Sequence, residues 1–197
     1  MESLSDFEIV QQQIAVASKS VFDKYGFAKV SMDDIAKACG KSRTTLYHYF
    51  KNKKEVFEYI ALHEFQSVLN YASKGTAKNN SLETNLLQFN HRKIKKIKEL
   101  LKANQSFVLE IRELRDIFQH IFEKTIIIEL QCYHQILDWA EENNNMAKLE
   151  TDRKRFLAIV LITALKNFEE EIIIQNEFES FEKRLDWLIE ILCKGLK

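Results

Sequence analysis

From Phe7 to Tyr25 the apolar positions Val10, Ile14, Ala17, Val21 and Tyr25 recur at spacings of three and four, the period of an amphipathic helix, and Gly26 ends it. Ser31 followed by Asp34 has the form of a capping box, which predicts a short second helix over Met32–Cys39 that stops at Gly40. Ser42 is placed to cap a third helix reaching Phe50, and Asn52 with Glu55 opens a fourth running through about Ala72. Lys74–Ser81 collects glycine and polar turn formers and reads as a loop. Beyond it the periodicity predicts helices at Leu82–Lys102, Ser106–Ile117 and Phe118–Glu142, a polar break at Asn143–Asn145, then helices at Thr151–Ile174 and Glu177–Leu196. The fold expected is all-α, with about nine helices: a three-helix helix-turn-helix domain over residues 1–51 and a helical bundle over 52–197, joined by the helix 52–72.

Composition supports this reading. The chain of 197 residues has no proline and only four glycines, which argues against repeated hairpins and linker-rich segments. Cys39, Cys132 and Cys193 are odd in number and far apart, as suits reduced thiols. The acidic start lacks the pattern of a secretory signal, and the longest apolar run, Phe156–Leu165, is too short to span a bilayer. A cytoplasmic protein with no membrane partner is expected.

Net charge is silent, with 29 basic against 29 acidic residues, but its distribution is not. Lys37 to Lys54 holds six basic residues and no acidic one, whereas Met1 to Ala36 holds three basic against six acidic. That positive unit coincides with the two short helices and the glycine turn between them, the arrangement that lays its second helix in the DNA major groove. Leu46 and Phe50 should pack inward with Ile35, Ala36 and Cys39, leaving Arg43, Thr44, Tyr47 and His48 outward. The Arg43 guanidinium can fork onto the O6 and N7 edge of guanine, and threonine offers a hydroxyl to phosphate and a methyl to thymine. Tyr47 and His48 could reach phosphate, and Lys53 stands at a helix start, where exposed N–H groups favour an anion.

The stretch AVASKSVFDKYGFAKVSMDDIAKACGKSRTTLYHYFKNKKEVFEYI resembles the DNA-binding domain of tetracycline-repressor (TetR) family regulators. The resemblance covers about Ile9 to Ile60. It is carried by Tyr25-Gly26, the Ser31 cap before Asp34-Ile35-Ala36, Gly40 at the turn, Leu46-Tyr47 with Tyr49-Phe50, and Lys53. It implies that Thr45, Tyr47 and Lys53 grip phosphates and that Arg43, Thr44 and His48 approach bases. With Ser42, these form the candidate DNA-binding set. Two positions depart from the family pattern: Lys41 stands where a small apolar residue is usual, and Thr44 where glycine or alanine is common.

The resemblance also implies a homodimer, formed by the last two helices, on a palindromic operator. The sequence adds support, because the final helix is apolar over more than one face. Phe178, Phe181, Leu185, Leu188 and Leu192 form one stripe, Trp187 and Ile191 lie beside it, and Phe156, Ile159, Val160 and Thr163 on the preceding helix are similarly two-sided. The candidate interface is Phe156, Val160, Phe178, Phe181, Leu185, Trp187, Leu188 and Leu192.

Phe89, Phe107, Phe118, Phe122, Tyr133 and Trp139, with His91, His120 and His134, suit either a core or a cavity for an apolar small-molecule effector. Which residues would touch such a ligand is left open. The basic run Arg92–Lys102 reads as a solvated helix face.

Enzyme-like fragments fail on inspection. Gly40-Lys41-Ser42 lacks the earlier glycine of a phosphate loop, His63-Glu64 lacks the second histidine of a zinc site, and Cys132 and His134 point to different sides of a helix. No catalytic residue, metal site or cofactor is expected. The reading is a DNA-binding regulator, a dimeric repressor released by an effector. The alternatives are a helix-turn-helix regulator without a small-molecule effector and a protein-interaction module with degenerate DNA binding.

Overall fold

The computed structural model describes residues 5–103, 115–175 and 179–196. Among these, eight helices account for all the regular structure: α1 (Asp6–Tyr25), α2 (Met32–Ala38), α3 (Arg43–Tyr49), α4 (Lys53–Ser73), α5 (Leu82–Ala103), α6 (Arg115–Glu142), α7 (Thr151–Gln175) and α8 (Glu179–Gly195). The all-α expectation holds. The helix expected at Ser106–Ile117 falls almost wholly outside the described residues.

Local chemistry sets the helix ends. The capping box at Ser31 and Asp34 is present, with the Ser31 hydroxyl accepting from the Asp34 N–H and the Asp34 carboxylate accepting from the Ser31 N–H. A second such box, unread in the sequence, opens α1: Ser5 and Glu8 satisfy each other's N–H groups. At α4 the Asn52 side chain accepts from the Glu55 N–H at 3.0 Å, but the Glu55 carboxylate reaches past Asn52 to the Lys51 N–H at 2.8 Å.

Two helix C-termini close in the same way. After α2, Gly40 has φ +62°, its N–H donates to the Lys37 carbonyl, and the Lys41 N–H donates to that of Ala36. After α6, Asn144 has φ +56°, with the Asn144 N–H on the Glu141 carbonyl and the Asn145 N–H on that of Ala140. Both are Schellman motifs, in which one left-handed residue turns the chain and recovers two orphan carbonyls.

The chain forms two compact units. One is Met1–Phe65 with Leu101–Phe122, the other Gln66–Leu100 with Glu123–Lys197. This differs from a division at residue 51. The core of the first unit, built on Ile14, Phe22, Ile35, Leu46 and Phe50, also takes Val56, Phe57, Ile60 and Ala61 of α4 and Ile117 and Ile121 of α6. One helix of 20 residues and two of seven bury too little apolar surface by themselves, so the unit borrows from α4 and α6.

In the second unit, Phe89 of α5 meets Tyr133 of α6 edge to face at 5.3 Å, both wholly buried. Lys154 of α7 ties itself to Asp138 and Glu141 of α6 at 2.6 and 2.7 Å. The Lys93 ammonium of α5 pairs with the Glu129 carboxylate of α6 in the interior. Lys93 is thus not part of a solvated face. It follows Phe89 by four residues and shares the inward stripe of α5 with Leu86, Asn90, Ile94 and Ile97. No described helix is long and apolar enough to cross a membrane.

Candidate nucleic-acid interface

Leu46 sits at 0% exposure and Phe50 at 3%, locking α3 onto Ile35 and Ala36 of α2, while Cys39 is half-buried. The helical period then turns Ser42, Arg43, Thr44, Thr45, Tyr47 and His48 to solvent, and all six are exposed. The sequence-predicted set is therefore exposed around α3 on the sides away from Leu46, while Lys53 at the start of α4 is half-buried.

Within the set, contacts fix several side chains. The Ser42 hydroxyl accepts from the Thr45 N–H at 3.1 Å and lies 2.8 Å from the Thr45 hydroxyl, so it caps α3 and orients its neighbour. Arg43 has its guanidinium carbon 5.6 Å from the centre of the Tyr47 ring, donates to the Tyr47 hydroxyl at 3.4 Å, and lies 3.4 Å from the Asp33 carboxylate of α2. The Tyr47 hydroxyl and the Asp33 charge hold its pKa above the ordinary arginine value, so the fork is charged at every relevant pH. The His48 ring stands edge-on to Phe7 at 5.9 Å and to Tyr49 at 5.1 Å, while Gln11 donates to the Tyr49 carbonyl at 3.1 Å. The end of α3 is thereby braced by α1.

Lys53 behaves differently from the expectation. Its ammonium donates to the carbonyls of Phe27, Ala28 and Val30 at 2.8, 3.1 and 2.9 Å. Asp33 and Phe7 were not singled out from the sequence. Each contact is made across helices, and spacing along one chain segment carries no sign of it.

The expected effector residues divide. Phe89 and Tyr133 are core, His91 pairs with Asp186 at 2.6 Å, and His120 is exposed. Phe107 and the side chains of Phe118 and Phe122 lie outside the described part. Among the expected interface residues, Phe156 is 68% exposed, Val160 41% and Trp187 63%, beside Ile191 at 45%. Leu188 and Leu192 are half-buried, and Phe178 and the Phe181 side chain lie outside the described part. Leu185 faces the other way: at 1% exposure it joins Ile189 and Cys193 on the inner stripe of α8, one helical turn apart, and is packed within its own chain.

A glycine-turned pair of short helices, with a basic second helix exposed on a braced core, defines a helix-turn-helix DNA-binding regulator. Residues 14–60, which hold α2 and α3, match the sequence profile of "Bacterial regulatory proteins, tetR family". The chain is 24% identical over 189 residues to the HTH-type dhaKLM operon transcriptional activator DhaS of Lactococcus lactis, covering 96% of this chain and 91% of that one. Among solved structures it is similar to a TetR-family regulator of Mesorhizobium loti (TM-score 0.64, 19% identity, 95% and 96% of the two chains). The fatty acid degradation regulator FadR of Bacillus halodurans is also similar (TM-score 0.62, 17% identity, 100% and 99%).

Proposed function

We propose that the protein works as a homodimeric repressor that reads a palindromic operator through Ser42, Arg43, Thr44, Thr45, Tyr47 and His48 of each protomer. The observation that carries this reading is the exposed face of α3, where the Arg43 guanidinium lies beside the Tyr47 ring and hydroxyl on a helix whose only buried residue is Leu46. A preordered arginine fork suits the O6 and N7 edge of guanine, and the hydroxyls of Thr45 and Tyr47 suit phosphate. Dimerisation is supported by the exposed apolar side chains of Phe156 and Val160, one turn apart on α7, and of Trp187 and Ile191, one turn apart on α8, which water solvates poorly.

Release by a small-molecule effector is the second part of the proposal. α4 begins in the DNA-reading unit and ends in the other, so a shift of α4 on ligand binding would change the separation of two recognition helices. Half-sites are spaced by the DNA turn of about 34–36 Å, and a mismatch of a few ångströms breaks simultaneous docking. Support for a ligand-responsive interior comes from its polarity. Asn90, Lys93, Thr125 and Glu129 are buried, the Tyr133 hydroxyl donates to Asn90 at 3.0 Å, and Glu129 Oε2 finds no hydrogen-bond partner among the described residues. This favours an effector bearing hydrogen-bond donors over a purely apolar one.

The test is selection of bound molecules from random-core duplex DNA at about 150 mM salt, beside an Arg43→Ala control. An enriched inverted repeat that the control loses establishes the dimeric reader; no enrichment overturns it in favour of a protein-interaction role. A reporter driven through the enriched site then gives the sign of regulation. The Lactococcus relative is named an activator, and a signal that rises with the protein would replace repression by activation.

A further inference from the structure

Lys53 occupies the point where three backbone carbonyls converge. Its ammonium lies 2.8 Å from the Phe27 oxygen, 3.1 Å from that of Ala28 and 2.9 Å from that of Val30, and 4.8 Å from the centre of the Phe27 ring. An ammonium has three N–H donors and no more, so every one is engaged. A phosphate oxygen approaching Lys53 would have to take a donor from a carbonyl already satisfied. The three carbonyls belong to the chain between α1 and α2. Val30 directly precedes Ser31, the N-cap of α2, and two residues further on Asp33 meets Arg43 of the reading helix.

We propose that Lys53 is a positioning residue and not a phosphate ligand: it clasps the turn between α1 and α2 to the first residue of α4, fixing the entry of α2 and, through Asp33, the placement of Arg43. The geometry suits lysine alone. A compact ammonium can point its protons at three oxygens around it, whereas a planar guanidinium directs its donors within one plane. Arginine would serve at least as well as lysine on a phosphate and cannot reproduce the clasp. The effect on DNA rests on the DNA-reading proposal above; the clasp itself does not.

Two measurements test it. In wild-type protein labelled with 15N-lysine, one ammonium resonance should show slowly exchanging protons, should vanish in Lys53→Arg, and should keep its shift when random-sequence duplex is added. Absence of such a signal overturns the clasp, whether or not the protein binds DNA. Second, affinities for the duplex enriched by selection and for random duplex are compared between 50 and 200 mM salt for wild type, Lys53→Met and Lys53→Arg. Both variants should lose about tenfold in discrimination between the duplexes while the salt slope stays unchanged. A slope lowered by about 0.9 in Lys53→Met and restored in Lys53→Arg is the signature of a phosphate ligand and overturns the proposal. Undiminished discrimination in the folded variants overturns the positioning role. If Lys53→Met does not fold, Lys53→Arg and the wild-type resonance still decide, and wild-type protein that binds neither duplex defeats the DNA reading and with it the positioning role, leaving the clasp to the spectrum.

Discussion

Lys93 of α5 and Glu129 of α6 form an ion pair with both side chains 2% exposed, on two helices that also bury Phe89, Asn90, Ile94, Ile97, Thr125 and Ile136. Breaking such a pair takes the opposite charge from a buried ion, whereas replacing both members with apolar groups removes both charges from the interior. Glu129→Leu should therefore destabilise the protein by about 3–5 kcal/mol in urea unfolding, and Lys93→Met with Glu129→Leu should recover most of the loss. A double variant as unstable as the single one would mean that Lys93 is held by partners other than Glu129.

Arg43→Ala should cost about 1–3 kcal/mol in binding to the selected duplex and relax preference at one base position, read by repeating the selection with the variant. Tyr47→Phe removes the hydroxyl that Arg43 donates to while keeping the ring beneath it. It should lower affinity for all duplexes alike and leave the preferred sequence in place.

Gly40 carries φ +62° with open space around the position of a Cβ, so the cost of Gly40→Ala is one of backbone strain alone. About 1–2 kcal/mol of unfolding free energy should be lost. Gly40→Asn should cost less, because asparagine tolerates the left-handed region, as Asn144 does at the end of α6.

Phe156→Glu and Trp187→Glu place charge at side chains 68% and 63% exposed in the single chain. Sedimentation should show monomer in place of dimer, with helical content unchanged. A variant that stays dimeric would move the interface elsewhere.

Partial burial pushes the His63 imidazole below its ordinary pKa of 6.5, against a smaller opposing pull from Glu64. The unfolded chain then binds more protons than the folded one between the lowered value and 6.5, so stability rises with pH across that window and falls as the imidazole is protonated. His63→Phe should flatten this part of the urea midpoint against pH, and an unchanged profile would assign the dependence to other groups.

Much of the first unit was legible because its signals are local. The Ser31 and Asp34 box, Gly40 and the Ser42 cap each act within a few residues, and the spacing of Leu46 and Phe50 determines which face of α3 is left to solvent. The same logic placed Leu185 less well, since a helix apolar on more than one face does not say which face turns inward. The pattern on α8 was equally compatible with either, and packing chose Leu185, Ile189 and Cys193.

By itself, then, the sequence determined the described helices, the Ser31 and Ser42 caps, the glycine turn and the outward set on α3, all consequences of backbone hydrogen bonding and of a period of 3.6 residues. Tertiary structure alone decided what depends on residues remote in the chain: the completion of the first core by α4 and by Ile117 and Ile121, the pairing of Lys93 with Glu129, the hold of Asp33 on Arg43, and the capture of Lys53 by three carbonyls. A lysine reads alike in sequence whether it meets water, a carboxylate or a carbonyl. Only the packing of one helix on another supplies the partner that settles its role.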